Sequence, residues 1–415
     1  MTLPHERRAS RTHEWIRWDA MHAAASVVLA SLWGITAHAQ SDTVARRELA
    51  PGVSYIQFVD ARIPLAAYLV RVDLRRADIE LRALRARDQL RGREQVTDMV
   101  GRARAAGANV LAAVNGDFFE LKSGENENNQ IIAGEWWKGL KVTDSPYDTY
   151  DNIHVQFGVD AAGRPLMDRF MFDGRAIAHG VVTPIISLNF NPSGNPEGTA
   201  LYTHRFGTTT PRDTTRPTVE ASLVSAGRRG DTLRFVRRGA TSTVSGSPIP
   251  ADGAVLAAYG PGSRAKEVQA MAEGDTVELL LATLPRPPHG ASPALIVGGW
   301  PRILRDGENV ASEAPVVEGT ISRNAEARHP RTSIGFSRDS TTLFLLTVDG
   351  RSARSPGLTL VELANLMRAL GAWNAMNFDG GGSTTMVVGG AVVNTPTDAT
   401  GEREVGNALA IVRRK

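Results

Sequence analysis

The run Leu343-Phe344-Leu345-Leu346-Thr347-Val348 is apolar at all but one position, and Asp349-Gly350-Arg351 follows it at once. A strand with one wet face alternates apolar and polar residues, whereas a strand apolar on both faces is covered on both. The run therefore predicts a strand in the interior of a layered fold, paired with Thr332-Ser333-Ile334-Gly335-Phe336 upstream. Downstream, Thr359 to Leu370 predicts a helix. Thr359 and Glu362 have capping-box spacing, Leu360, Leu363, Met367 and Leu370 fall on one side, and Gly371 lies beyond the end. Apolar residues then lead into Asn377-Phe378-Asp379-Gly380-Gly381-Gly382-Ser383-Thr384-Thr385-Met386, and Val387-Val388 resumes a strand. Each interior glycine costs roughly 0.5–1 kcal/mol against alanine, so this loop is not chosen for stability. It brings bare backbone N–H groups beside a carboxylate, an arrangement suited to an anionic or sugar-like ligand.

Working outward, Leu49 to Leu84 alternates short apolar runs with charged residues and reads as antiparallel strands. Gln95 to Ala106 reads as a helix with Val96, Met99, Val100 and Ala103 on one stripe, ended by Gly107. Val110-Leu111-Ala112-Ala113-Val114 is then a buried strand delivering Asn115-Gly116-Asp117-Phe118-Phe119. From about 184 to 290 the chain is rich in Thr, Pro and Gly with short strands such as Thr232–Val236 and Val277–Leu281, which predicts a β-rich insertion or subdomain. The expected class is mixed α/β (α+β): a mixed, largely antiparallel sheet flanked by helices, with a β-rich middle elaboration.

The chain has 415 residues, 42% of them apolar and 22% charged, enough for a sizeable core. Its net charge of +3 is small for this length, and acids and bases interleave without basic runs, which argues against a nucleic-acid partner. Arg7, Arg8, Arg11 and Arg17 precede an apolar run from Ala23 to Ile35 and then Ala37-His38-Ala39. That is the pattern of a signal peptide over residues 1–39 with an A-x-A cleavage site, and it predicts an exported protein, periplasmic or extracellular. The run is shorter than the roughly 20 residues a membrane span needs, and no later segment is apolar enough to cross a bilayer, so no span is expected after cleavage. With no cysteine, disulfides and thiolate metal sites are excluded.

Three loops follow buried strands and carry an acid: Asp117, Asp349 and Asp379. If their strands are neighbours in one sheet, the acids converge at one edge; read singly, Asn115-Gly116 and Asp349-Gly350 are tight turns. In Arg328-His329-Pro330-Arg331-Thr332, Pro330 holds His329 extended and a polyproline-like repeat aims Arg328 and Arg331 in similar directions, as a phosphate fork would. A solvated arginine pair is the simpler alternative. No cofactor is required by the sequence, although a divalent cation such as calcium held by oxygens of Asp117, Asp349 or Asp379 is compatible with it. The loop lacks the lysine of a nucleotide-binding P-loop, and no G-x-S-x-G or cysteine nucleophile occurs.

Taken in order, Val114–Phe119, Arg328–Thr332, Val348–Arg351 with Ser355–Thr359, and Asn377–Thr384 resemble the phosphodiester glycosidase family, and Gly401–Leu409 is similar to its closing segment. The resemblance covers roughly Leu49 to Val412. It implies a domain over 40–415 that hydrolyses the bond between a sugar anomeric carbon and a phosphate, with a phosphorylated glycan or other sugar phosphodiester as substrate. Because the cysteine-rich appendages and membrane anchor of the animal enzyme are missing, an envelope or extracellular glycan is the expected target. On this expectation Arg328 and Arg331, with Arg351 as a third, bind the phosphate, while Asn115 and the Gly380, Gly381, Gly382, Ser383 and Thr384 loop also bind substrate. Asp379 or Asp349 is nucleophile or base, and Asp117 positions sugar or ion. Two rivals remain at this point: a non-catalytic anionic-glycan binding or exopolysaccharide-assembly protein, and a metal-dependent phosphodiesterase.

Overall fold

The computed structural model describes residues 42–60, 64–141, 153–288, 292–319 and 327–415; the expected signal peptide lies outside them. The doubly apolar run forms strand Thr342–Val348 inside an eight-stranded sheet, in the order 42–50, 53–60, 65–73, 342–348, 331–336, 374–377, 302–305, 308–309. Its alternation sorts the side chains between two cores. Phe344, Leu346 and Val348 join Leu360, Leu363, Ala364 and Met367 of helix Leu360–Ala369. Leu343 and Leu345 pack on the other side with Val70, Val72 and Ile334. The helix starts at the expected capping box, where Thr359 Oγ1 accepts from the Glu362 N–H and Glu362 Oε2 accepts from the Thr359 N–H. Burying Leu360, Leu363 and Met367 contributes about 6 kcal/mol, at roughly 2 kcal/mol each.

The second core is closed by a five-stranded sheet, in the order 391–392, 386–388, 109–115, 407–413, 79–85. Ala112, Val114, Leu409 and Ile411 face the first sheet. Val110, Ala113, Ala408, Ala410 and Val412 face away and are covered by Val96, Met99 and Val100 of helix Val96–Ala105. Helix, sheet, sheet and helix thus stack as four layers, each held by a period of two or 3.6 in its own sequence.

The third sheet has thirteen strands, paired antiparallel except Ser187–Leu188, which runs parallel to Gly198–Thr203. The stretch from 184 to 290 is β-rich as read, but its strands share this sheet with 130–132, 135–140, 156–160, 165–168 and 293–298. Residues 43–415 form one compact unit. The third sheet reaches the other two at strand Pro293–Gly298, where Val297 joins the core between them. The class is α+β with largely antiparallel sheets.

Candidate active site

Asn109–Asn115 in the second sheet, Asn374–Asn377 in the first and Pro293–Gly298 in the third all end at one place. The acid-bearing strands are therefore not neighbours in one sheet; Asp117 and Asp379 meet across the gap between two. Asn115 fastens that gap. Its Nδ2 donates to the Asp379 carbonyl at 2.7 Å, and its Oδ1 accepts from Thr332 Oγ1 at 2.7 Å and from the Thr385 N–H at 3.1 Å. The Asp379 N–H in turn donates to the Gly116 carbonyl at 2.9 Å.

Asp117 is buried and accepts three hydrogen bonds, from Asn126 Nδ2 (3.1 Å), the Asn128 N–H (2.9 Å) and Asn128 Nδ2 (2.7 Å). Desolvation raises its pKa, against those bonds and the charge of Lys138. Asp379 keeps a partly open surface but is closely hemmed in by protein, and that desolvation pushes its carboxyl up to about 6. Ser383, Arg403 and the Gly380 N–H pull it down, while Asp117 adds to the rise. These two carboxylates feel each other. Asp349 has partners of its own: Tyr68 Oη donates to its Oδ2 at 3.0 Å and the Thr395 N–H to its Oδ1 at 2.8 Å.

The glycines are there for close approach more than for turning. A Cβ on Gly116 would lie 2.5 Å from Asn407 Oδ1, and one on Gly350 2.4 Å from the Pro330 nitrogen; neither residue has a positive φ. Tight turns of the primed type are thus not what these pairs build. Within the loop, Gly381 has φ +60°, and a Cβ on Gly382 would lie 2.5 Å from Arg403 Nη2. The loop's N–H groups are less available than its composition suggests, because those of Gly381, Ser383 and Thr384 bond to the carbonyls of Pro330, Gly380 and Gly381. Its hydroxyls are freer: Thr384 Oγ1 and Thr385 Oγ1 are buried without a partner.

Arg328 and Arg331 do point to a common region, but both are engaged by protein. Arg331 is buried, donates to the carbonyls of Leu358 (2.9 Å) and Ala327 (2.9 Å), and is pushed down to about 10 by desolvation. Arg328 donates to the Gly357 carbonyl and pairs with Glu362. The guanidinium groups nearest the glycine loop are instead Arg351, 3.0 Å from where a Gly381 Cβ would sit, and Arg403. Arg403 is aimed by Asp398, which accepts from its Nε at 2.6 Å, and its Nη1 reaches Ser383 Oγ at 3.4 Å. Arg403 and Asn407 are the residues missed in the sequence. The Gly401–Leu409 tail was marked, but nothing in its spacing tied an arginine to a loop twenty residues upstream. Asn407 opens a strand otherwise apolar through Val412, a polar residue where only burial awaits; its Oδ1 accepts from the Asp117 N–H at 2.8 Å and its Nδ2 is buried without a partner.

Among the described residues, no group of three or more His, Asp or Glu is arranged to hold a metal ion, and no helix is long and apolar enough to cross a membrane. A cavity of about 410 Å³ lies elsewhere, in the third sheet, over Trp136, Leu188 and Phe235 with Arg228 and Asp231 at its rim.

Residues 224–412, which contain the glycine loop, Asp349 and Arg403, match the family model described as phosphodiester glycosidase. Over this stretch the chain is similar to the phosphodiester glycosidase family. Asn115 and Asp117 lie outside the matched stretch and join it through folding. Over 122 residues the chain is 35% identical to the SPbeta prophage-derived uncharacterized protein YomE of Bacillus subtilis, covering 29% of this chain and 18% of that one. Over 110 residues it is 31% identical to the mouse N-acetylglucosamine-1-phosphodiester alpha-N-acetylglucosaminidase, covering 25% and 21% respectively. The chain thus spans about a fifth of the length of these curated relatives. Two solved structures share the fold: a hypothetical protein from Synechocystis (TM-score 0.69, 20% identity, 90% of this chain and 64% of that one) and a Burkholderia pseudomallei protein described as a candidate exported protein (TM-score 0.60, 23% identity, 84% and 74%).

Proposed function

We propose that this protein hydrolyses a sugar-1-phosphodiester in an exported glycan or envelope polymer, cleaving between the anomeric carbon and the phosphate oxygen. The observation that carries the reading is the pairing of Asp379 with Asp117 directly beside a guanidinium, Arg403, that lies against Gly382 and Ser383. Glycosyl transfer to water passes through an oxocarbenium-like state, which a carboxylate stabilises or serves by activating water. A phosphate leaving group departs with its electron pair as a stable anion, so it needs a positive charge more than a proton. Arg403, with Arg351 beside it, supplies that charge.

Asp379 then acts in its ionised form, as nucleophile or as base taking the proton of the attacking water. An acid with its pKa near 6 is still ionised at neutral pH and basic enough to accept a proton. Asp117 holds a second negative charge near the anomeric carbon. Export is the companion proposal, resting on residues 1–39: N-terminal sequencing of secreted protein is expected to begin at Gln40, and a retained Ala39 would refute it. Hydrolysis in ¹⁸O-labelled water tests the reaction. The label is expected on the sugar; label on the phosphate would mean cleavage of the P–O bond, and binding without product release would mean a glycan-binding protein.

A further inference from the structure

Arg85 is 1% exposed at the end of strand Ile79–Arg85, and among the described residues no carboxylate stands at ion-pair distance from it, although the charges of Glu125 and Asp117 act on it from further off. Its Nε and Nη2 donate to the carbonyls of Gln89 and Leu90, and its Nη1 donates to Asn126 Oδ1 at 2.6 Å. Burial lowers its pKa to about 10, so it is still charged at neutral pH. A buried cation bound only to neutral acceptors is expensive, and an apolar side chain would satisfy the strand pairing, where Arg85 lies opposite Asn407.

The charge has a visible effect one residue further on. With Oδ1 turned to the guanidinium, the Asn126 amide must present Nδ2 to Asp117 Oδ2 (3.1 Å) and to the Asn128 carbonyl (2.6 Å). The flipped amide would set N–H against N–H on one side and a carbonyl oxygen against a carboxylate on the other. Besides Arg85, whose charge acts on Asp117 directly too, the charged groups interacting with Asp117 are Lys138 and Asp379, and Glu125 acts on Arg85. Lys138 Nζ lies 2.9 Å from Glu125 Oε1 and donates to the Asn126 carbonyl at 2.5 Å, and Arg91 Nε lies 2.9 Å from Glu125 Oε2, so Glu125 is already paired.

We propose that Arg85 is a positioning residue for Asp117: by fixing the Asn126 amide as a donor, it holds Asp117 ionised beside Asp379, so that Asp379 is the member of the pair that takes up a proton. The inference rests on the reading that these two acids flank the reacting bond. It deepens that reading by dividing their roles, since pairs of acids with different environments take different parts in catalysis. Asp117 is the fixed negative charge and Asp379 the exchangeable one.

The test is a ¹³C NMR titration of aspartate carboxyls in the full chain without substrate, with the Asp117 signal assigned by its loss in Asp117→Asn. Asn126→Ala is expected to raise the Asp117 midpoint by about one pH unit or more, a tenfold change in proton affinity, because a hydrogen bond to a charged group is lost. Arg85→Gln is expected to move it in the same direction, and Arg85→Lys to move it less. Should Arg85→Gln not fold, Arg85→Lys carries the Arg85 arm, and a folded Arg85 variant with an unshifted Asp117 midpoint overturns the relay. An Asp117 midpoint unchanged within about 0.3 unit in Asn126→Ala, or Asp117 protonated at pH 7 in the wild type, would overturn the relay. Because this titration needs no turnover, its failure leaves the hydrolase reading standing, whereas absent hydrolysis with an intact shift refutes the reading and not the relay.

Discussion

Replacing Asp379 by Asn should make the protein more stable while removing its activity, and the gain should depend on pH in a defined way. The folded state holds the Asp379 carboxyl at about 6, against an ordinary value of 3.8, chiefly because the group is desolvated. A raised folded pKa means that the folded protein binds more protons than the unfolded chain between about pH 4 and 6, so stability falls as pH rises through that window and the loss is complete above it. About two units at 1.36 kcal/mol each set a ceiling near 3 kcal/mol, and because part of the side chain is open to solvent, about 1–3 kcal/mol is expected. Asn keeps the acceptor oxygen for Ser383 and Gly380 and carries no charge to desolvate. For a unit the size of residues 43–415, with an unfolding entropy of about 2.1 cal/mol/K per residue, that becomes a rise in Tm of about 1–4 °C. Calorimetry at pH 8 and at pH 4 measures it. The rise should appear at pH 8 and vanish at pH 4; a variant no more stable at pH 8, or equally stabilised at both, would refute the desolvation argument.

Arg403→Ala should lower turnover about 100- to 1,000-fold with little loss of stability, since it removes a charge-stabilising donor from a partly exposed position; near-normal kcat would exclude Arg403 from the site. Arg331→Ala should destabilise by about 1–3 kcal/mol in denaturant melts, because a buried side chain and its two part-buried hydrogen bonds are lost, whereas Arg328→Ala, on an exposed ion pair, should cost under about 1 kcal/mol. Equal costs would contradict the buried bridge. The rate of hydrolysis, as kcat/KM, should rise with pH through about 6 as Asp379 ionises and then level off; a rate that falls across that range would assign Asp379 the opposite role.

The elements that carry their own signal were legible in the sequence. Thr342–Val348 announced two covered faces, and helix Leu360–Ala369 announced its start through Thr359 and Glu362. The positions of Asp117 and Asp379 in loops after strands were legible for the same reason. Assigning the strands to sheets was not. Asn109–Asn115 takes its neighbours from 386–388 and 407–413, nearly 300 residues away, and no local pattern encodes that choice. The arginines failed similarly. Arg328 and Arg331 have the spacing of a fork, but their destinations are set by Glu362 and the carbonyls of Gly357 and Leu358, which local spacing does not reveal. Gly116, which read singly would serve a turn, makes room for Asn407.

The strand Asn407–Arg413 lies between Asn109–Asn115 and Ile79–Arg85. Two segments made early in synthesis are thus bridged by one made late, and Asn407 and Arg403 arrive together with it. A nascent chain stopped before residue 400 would have both acids but neither the amide that holds the Asp117 backbone nor the guanidinium behind the glycine loop. Sheets that wait for so distant a partner close slowly. Assembly of the candidate site therefore comes as one of the last events of folding.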